Sequence, residues 1–262
     1  MPELIEIEMY RRAFDPLLGR TIDFFEVCHP GYVRPSGAPA EAFQMLVGGR
    51  LFDTHRHGKL LVLVIDCQSE RIELGLRFGM TGRLLVDGVG PIDQLEYASS
   101  KNDPAWDRTR ISFGAVTVTM RDQRRLGSIE LDPDTSLLGP DAATVSASQM
   151  IEAFRGRRAS IKGVLLDQSA IAGLGNLLVD ETLWRVGIAP QRSVSSLDAL
   201  ETTRLARIVC DTVAELSDRG GSHTGNTFAV RRSGAVCPRC GAGMAVDSIA
   251  GRTSWWCPEH QR

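Results

Sequence analysis

Three cysteines and one histidine near the C-terminus have the residue types and the spacing of a metal site. Cys237 and Cys240 form one CxxC knuckle, and Cys257 and His260 form a second knuckle with the same spacing. The stretch between the knuckles has the length, roughly 15–20 residues, that is typical of tetrahedral zinc sites. Four protein ligands leave no open coordination position, so the sequence predicts one structural Zn²⁺. The alternative is a redox-active CxxC pair to which His260 is incidental.

Basic side chains are concentrated around this predicted zinc site, although the formal net charge of the whole chain is −2. The arginines there outnumber the nearby acids: Arg231, Arg232, Arg239, Arg252 and Arg262 against Asp247 and Glu259. Such charge on a small metal-stabilised module suggests contact with phosphate or nucleic acid. The alternative is an ordinary solvated surface. The net charge argues against a generally basic protein that coats nucleic acid.

The composition is that of a globular protein in one large or two modest domains, with 262 residues, 43% hydrophobic and 24% charged. It excludes collagen-like and disordered chains. No apolar run approaches membrane-spanning length, and the start lacks the features of a signal peptide, so we expect a cytoplasmic protein. Three isolated cysteines in apolar stretches are expected to be buried, reduced thiols: Cys28, Cys67 and Cys210.

The hydrophobic pattern changes along the chain and predicts a multi-domain α+β fold. A short amphipathic helix over residues 3–14 is followed by β-like runs broken by Gly, Pro and Asp, which fit a sandwich or barrel. We therefore predict an N-terminal β-domain over residues 1–131 and a linker over 132–148, which is rich in Asp, Pro, Ser and Gly. A helical domain over 149–219 and a zinc-binding β-hairpin over 220–262 complete the chain.

Several local patterns occur together, in order along the whole chain, as they do in one known family. They are the start Met1–Glu8, the segment Ile161–Gln168, the glycine-rich turn Ala172–Asn176 with Asp180 after it, and Arg252 before the last knuckle. In these features the chain resembles the formamidopyrimidine-DNA glycosylase and endonuclease VIII family. The resemblance implies an N-terminal β-sandwich, a helix-two-turn-helix domain in the middle and a C-terminal zinc-finger hairpin.

The resemblance also implies an enzyme of base-excision repair, a DNA glycosylase with abasic-site lyase activity. Its nucleophile would be Pro2 after removal of Met1, because an α-amino group is far less basic than a lysine and is partly neutral near pH 7. Attack on C1′ of the deoxyribose gives an iminium ion, which permits β-elimination. By the same resemblance Glu3 is the general acid and base, Glu6 helps to order water or the sugar ring, and Lys59 anchors a phosphate beside the lesion. The alternative for Pro2 and Glu3 is a plain helix N-terminus.

Further residues are implied as DNA contacts by their match to the family pattern. Lys162 is a second candidate at the pocket, and Asn176 and Arg252 would hold phosphates beside the damaged nucleotide. Such an enzyme takes its target base out of the stack, and three side chains on two loops would fill the space left behind: Met80, Arg124 and Leu126. Solvated lysines, a core methionine and a surface arginine are the alternatives.

The chain departs from the family pattern at four places. Ile5 replaces a second proline, Leu126 stands where phenylalanine is usual, and His260 replaces the last cysteine ligand. The segment between Gly220 and Cys237 is shorter than the loop that caps an extruded 8-oxoguanine in the family. We therefore expect a more open pocket, suited to oxidised pyrimidines, hydantoins, ring-opened purines or a bulkier lesion.

The expected partner is double-stranded DNA with a damaged base or an abasic site, bound by a monomer that in a bacterium would be associated with the nucleoid. Two other functions remain open at this point. One is a non-catalytic protein that binds damaged DNA on the same scaffold. The other is a zinc-ribbon protein unrelated to DNA repair, for example in RNA metabolism.

Overall fold

Two separate apolar cores organise the chain in the computed structural model, which describes residues 1–34, 38–68, 70–92, 95, 98–99 and 101–262. The first unit contains Met1–Pro2 and Glu6–Thr135. The second unit contains Glu3–Ile5 and Ser136–Arg262. The first helix, α1 (Leu4–Arg12), contributes residues to both units. Among the described residues, no helix combines the length and the apolar character needed to span a membrane.

Two antiparallel sheets form the first unit. Their strands are β1 (Phe24–Val27), β2 (Arg50–His57), β3 (Leu60–Cys67), β4 (Glu70–Arg77), β5 (Gly82–Val86), β6 (Asp107–Phe113), β7 (Val116–Asp122) and β8 (Ser128–Leu131). In the described chain one sheet has the order β1-β6-β7-β5 and the other the order β2-β3-β4-β8. Side chains from both sheets share one core, so the predicted β-sandwich is confirmed.

Aromatic side chains fill much of this sandwich core. Tyr10 of α1 packs on Phe78 with ring centroids 4.6 Å apart, and Phe25 stacks on Phe43 at 5.5 Å. Tyr10 is buried away from water, and this burial raises the pKa of its hydroxyl. The core therefore packs the later residues of α1, including Ile7 and Tyr10, against the strands of the first unit.

Helices and one hairpin form the second unit. The elements are α2 (Ala147–Phe154), α3 (Ile161–Leu166), α4 (Asn176–Val186), α5 (Ala199–Asp218), β9 (Ala245–Ile249) and β10 (Arg252–Trp256). The turn between β9 and β10 consists of Ala250 and Gly251, with φ of 52° and 70°. Two positive φ angles in a two-residue loop match the right-handed twist of the paired strands. The predicted helical middle and C-terminal hairpin are confirmed.

Most of the segment predicted as a linker, residues 132–148, lies in the second unit. The first unit ends at Thr135, and Ala142 and Val145 are buried in the core of the second unit. Ser146 closes a capping box at the start of α2. The predicted separate hairpin domain over 220–262 likewise belongs to the second unit. Polar and small residues suggested a free connection, but the few apolar side chains among them are enough to pack this segment against the helices.

We expect Asp198→Ala to destabilise the second unit through the start of α5. The Asp198 carboxylate accepts a hydrogen bond from the backbone N–H of Glu201, whose side chain bonds back to Asp198. Loss of such a cap costs about 1 kcal/mol of unfolding free energy, measurable as a lower midpoint in urea. Leu200→Ala is the control, because Leu200 is 78% exposed in the same turn. Equal midpoints for the two variants would contradict the role of the cap.

Candidate functional site

In the first unit, the side chain of Pro2 lies in the wall of a cavity of about 330 Å³. The lining is mainly apolar, with Lys59 and Arg77 as its two cations. The other lining residues are Met1, Pro2, Ile7, Phe78, Gly79, Met80 and Leu126. Three of the other predicted site residues, Lys59, Met80 and Leu126, thus share one cavity with Pro2. Glu6 is buried in α1, but it is not among the described residues that line this cavity.

A two-residue turn between β2 and β3 places Lys59. His57 and Leu60 are the last paired residues of the two strands, and Gly58 takes a φ of 57°, which glycine adopts without strain. Arg56 donates to the carbonyl oxygen of Gly58 at 2.9 Å. The ammonium of Lys59 is therefore carried on a short, hydrogen-bonded turn at the cavity, a suitable place for a cation that meets a phosphate.

Two loops carry the other predicted contacts of this unit. Met80 is half-buried and lies between β4 and β5, whereas Arg124 and Leu126 are exposed between β7 and β8. The loops touch, since a Cβ atom at Gly79 would lie 2.6 Å from the backbone carbonyl carbon of Leu126. The structure thus brings Met80 and Leu126 together and leaves the guanidinium of Arg124 on the exposed side of its loop.

In the second unit, the carboxylate of Glu3 caps the N-terminus of α4. Its oxygens accept hydrogen bonds from the backbone N–H groups of Gly175 and Leu177 at 2.8 Å and of Leu178 at 3.2 Å. Glu3 is 1% exposed. Three donors and the positive end of the helix dipole stabilise a negative charge at this position. Sequence reasoning proposed Glu3 for proton transfer but did not detect that it also caps α4.

Lys162, predicted as a second candidate at the pocket, is buried within the second unit. Its side chain is 0% exposed, and its Nζ donates to Asp180 at 2.6 Å and to the carbonyl oxygen of Thr253 at 3.1 Å. Arg231 pairs with the other oxygen of Asp180 at 2.6 Å. Burial lowers the pKa of Lys162, and the Asp180 carboxylate opposes that shift. Lys162 therefore joins α3 and α4 to β10.

Asn176 and Arg252 both lie next to the backbone carbonyl of Thr253, one through a hydrogen bond and the other as its neighbour in the sequence. The side-chain N–H of Asn176 donates to the carbonyl oxygen of Thr253 at 3.1 Å, so this carbonyl receives both Asn176 and Lys162. Arg252 is the exposed residue just before Thr253. The side-chain oxygen of Asn176 is buried without a hydrogen-bond partner in the part of the chain that the structure describes. The arrangement offers the exposed guanidinium of Arg252 to an anion, because Glu3 already caps the N-terminus of α4.

The predicted metal ligands form one cluster. The ligand atoms of Cys237, Cys240, Cys257 and His260 all lie within 4.8 Å of one another. The Sγ atoms of Cys240 and Cys257 are 3.4 Å apart, and Nδ1 of His260 is 3.6 Å from Sγ of Cys237. Ligand atoms about 2.0–2.3 Å from a tetrahedral zinc are separated by distances of this size. The four residues fit a structural Zn²⁺, which would cross-link the two knuckles.

Trp184 supports this cluster, a contact that sequence reasoning missed. Its indole N–H donates to Sγ of Cys237 at 3.3 Å, and its carbonyl oxygen lies 3.3 Å from Nε2 of His260. A bond from Nε2 to a carbonyl leaves Nδ1 as the metal-binding nitrogen and fixes the ring. The C-terminal Arg262 bonds through its backbone N–H to Gly187. The knuckles are therefore attached to the end of α4.

Glu181 anchors the short segment that follows α5. Its carboxylate is 1% exposed and accepts hydrogen bonds from Arg185, Asn226 and the backbone and hydroxyl of Thr227, all at 2.8–2.9 Å. Burial raises the pKa of Glu181, but these donors outweigh it and the net pKa is lowered. Gly225 lies so close that a Cβ atom there would be 3.0 Å from the carboxylate. Residues 225–227 of the segment between Gly220 and Cys237 are thus fixed to α4.

Comparisons with known proteins place both units in one family. A family model described as the formamidopyrimidine-DNA glycosylase N-terminal domain matches residues 1–129, and one described as the H2TH domain of the same glycosylase matches residues 138–227. A formamidopyrimidine-DNA glycosylase of Paracoccus denitrificans is 34% identical over 98% of this chain and 99% of its own length. The Geobacillus kaustophilus glycosylase is 31% identical over 100% of both chains.

Solved structures are similar over the same extent. The Lactococcus lactis protein in complex with DNA that contains an abasic site has a TM-score of 0.81 and 25% identity, and the match covers 99% of each chain. A mutant of that protein in complex with DNA that contains Fapy-dG has a TM-score of 0.83 and covers 100% of each chain at 25% identity.

We expect Gly175→Ala to displace the carboxylate of Glu3. A Cβ atom at residue 175 would lie 2.3 Å from Cδ of Glu3, and such overpacking typically costs about 1–3 kcal/mol of unfolding free energy. Urea unfolding measures the cost. In a Glu3→Ala background the same substitution should cost much less, because the clashing atoms are gone. Gly243→Ala is the control, since no atom lies within 4 Å of a Cβ there. An equal cost in both backgrounds would show that Glu3 is not the group displaced.

We expect removal of zinc by a chelator to loosen the C-terminal hairpin and leave the sandwich intact. The metal would be the main cross-link between the knuckles, whereas the sandwich has its own core. Hydrogen exchange followed by mass spectrometry should show faster exchange in residues 237–262 and unchanged protection in β3 and β4. Cys210→Ser, outside the cluster, should behave like the unsubstituted protein. Equal loss of protection in β3 and in the hairpin would contradict this assignment.

Proposed function

The chain belongs to the formamidopyrimidine-DNA glycosylase family, and we propose that Pro2 is the nucleophile of its reactions. It is a base-excision-repair enzyme, a DNA glycosylase with abasic-site lyase activity that acts on DNA with a damaged base or an abasic site. The observation that carries our proposal is the position of Pro2 in the wall of a largely apolar cavity that also contains Lys59, Met80 and Leu126.

The first chemical step is attack by the secondary amine of Pro2 once Met1 has been removed. Apolar surroundings and neighbouring cations disfavour a charged amine, so the cavity favours the neutral form that can attack C1′. The C1′–N bond breaks and its electrons leave with the damaged base, which takes up a proton. The amine loses its own proton, and Glu3, the next residue in the chain, is the proposed carrier.

The second step opens the sugar and breaks the strand. The ring oxygen leaves C1′ and takes up a proton, and the Pro2 nitrogen and C1′ then form an iminium ion. This positive centre makes a C2′ proton acidic. Its removal sends the electron pair to a new C2′–C3′ double bond and expels the 3′ phosphate. We propose that Lys59 binds a phosphate beside the reacting sugar during these steps.

Residues of both units are proposed to hold the DNA. Met80, Arg124 and Leu126 would fill the space left by the extruded nucleotide, the apolar pair replacing stacking and the guanidinium bonding the unpaired base. Asn176 and Arg252 would hold phosphates through their side chains.

The substrate preference is proposed from the segment between Gly220 and Cys237. It is short, and Glu181 fixes part of it to α4. A short segment leaves an open pocket, which favours ring-opened purines, oxidised pyrimidines, hydantoins or bulkier adducts over strict selection of 8-oxoguanine. The relatives are named for formamidopyrimidine, and one similar structure holds Fapy-dG. In a bacterium, an enzyme with this substrate would work at the nucleoid.

We expect borohydride to trap a covalent adduct between the protein and an abasic-site duplex. Reduction of the iminium ion fixes the DNA to the Pro2 nitrogen, so mass spectrometry should find the adduct on the peptide that runs from Pro2 to Arg11. Pro2→Gly should give less adduct. An uncleaved N-terminal tag should abolish trapping, because it acylates the amine, and the same tag at the C-terminus is the control.

Two results would contradict the proposal. An adduct on the peptide that contains Lys59 would move the nucleophile to that ε-amine. Binding of damaged duplex without any adduct or strand cleavage under single-turnover conditions would favour a non-catalytic protein that binds damaged DNA.

A further inference from the structure

A single buried carboxylate, Asp122 at the end of β7, contacts both loops that carry the proposed space-filling residues. Its Oδ1 accepts hydrogen bonds from the hydroxyl of Thr81 at 2.5 Å and from the backbone N–H of Arg124 at 3.2 Å. Its Oδ2 accepts from the backbone N–H of Gly127 at 2.8 Å and from the hydroxyl of Tyr32 at 3.4 Å. Asp122 is 0% exposed.

These contacts lie directly beside the residues that would enter the DNA. Thr81 follows Met80, and Arg124 and Gly127 stand on either side of Leu126. The two oxygens of Asp122 thus hold both loops to one point. The loops also contact one another at Gly79, where a Cβ atom would lie 2.6 Å from the carbonyl carbon of Leu126.

The loop between β7 and β8 is held from its other side by Arg34. This guanidinium donates to the carbonyl oxygen of Arg125 at 3.1 Å and to that of Gly127 at 2.5 Å. Arg125 has a φ of 55°, a left-handed conformation that a non-glycine residue adopts only when its surroundings impose it. The backbone is therefore fixed at its N–H groups by Asp122 and at its carbonyls by Arg34. The side chain of Leu126 remains 44% exposed.

Burial of a carboxylate costs desolvation free energy, so it is an unfavourable way to stabilise a turn unless the turn has to keep one conformation. Desolvation of a charge is unfavourable, and the donors offset it only when all of them are in place. This desolvation cost is offset when a fixed turn keeps several exposed side chains in the arrangement in which they act together. Groups that are ordered before binding lose less freedom on binding, and small misplacements of a wedge are costly.

We propose that Asp122 is a positioning residue for base extrusion, which holds Met80, Arg124 and Leu126 in one arrangement so that they enter the duplex together. This inference rests on the proposed space-filling role of these three residues. Asp122 itself touches neither the substrate nor the reacting atoms. Its effect should therefore be confined to substrates in which a space inside a duplex has to be filled.

Asp122→Asn is the first test, because an amide keeps the size of the side chain but loses one of the two acceptor oxygens. The substrates are one oligonucleotide with an abasic site, used as a duplex and as a single strand. A single strand has no opposite base and no vacated space. Single-turnover cleavage of the duplex should fall about tenfold or more. Cleavage of the single strand should stay within about twofold of the unsubstituted enzyme.

Asp107→Asn is the matched control, since Asp107 is a buried carboxylate of the same sheet. It pairs with Arg110 and Arg121, at 2.9 and 2.6 Å. Asp107→Asn should leave the ratio of duplex to single-strand cleavage unchanged, even if the protein unfolds at lower temperature. Equal losses on duplex and single strand for Asp122→Asn, or no loss on either, would overturn the proposal.

Thr81→Val and Thr81→Ser provide a second pair in case Asp122→Asn fails to fold. Valine has the shape of threonine without the hydroxyl that donates to Asp122, whereas serine keeps the hydroxyl. Thr81→Val should lower the ratio of duplex to single-strand cleavage, and Thr81→Ser should restore it. Equal ratios for the two variants would also overturn the proposal. Failure of the Pro2 mechanism would look different, because no variant, nor the unsubstituted enzyme, would then form a borohydride adduct on either substrate.

Discussion

The first turn of α4 needs acceptors for its backbone N–H groups, and Glu3 meets this need from a distant part of the sequence. Unpaired N–H groups at a buried helix end are unfavourable, so the carboxylate is held firmly in place. One contact thus fixes both the start of the helix and the carboxylate proposed for proton transfer. Gly175 is required there because no side chain fits against Glu3.

Buried charges elsewhere follow the same principle of fixing a backbone that presents exposed side chains. Asp180 and Lys162 hold β10, next to the exposed Arg252, and Glu181 holds the segment after α5. In the first unit Asp122 does this for two loops. Each buried group is satisfied by several donors or acceptors, as its desolvation demands. Three of the residues that would touch DNA, Arg124, Leu126 and Arg252, are therefore exposed side chains on internally bonded supports.

Local spacing made the fold class and the metal ligands predictable, whereas hydrogen-bond partners that are distant in the sequence could not be predicted. The knuckles of Cys237 and Cys257 needed only short separations along the chain, and the family pattern supplied the sandwich and the helices. The burial of Lys162 could not be predicted, because its partner Asp180, 18 residues later, reaches it only in the folded helices. The carboxylate of Asp122 meets Tyr32, 90 residues away, a pairing for which no local pattern exists. Site roles for Pro2 and Lys59 remain predictions.

The histidine in the metal cluster has a consequence for the charge and the oxidation chemistry of the hairpin. The net charge of a zinc site with three thiolates and a neutral imidazole is about one elementary charge less negative than that of a site with four thiolates. That difference favours a hairpin whose exposed Arg252 has to approach a polyanion. Imidazole also does not undergo the stepwise oxidation that converts thiolates to sulfenic and sulfinic acids. His260 thus gives oxidants, the agents that damage bases, one fewer ligand through which to release the metal.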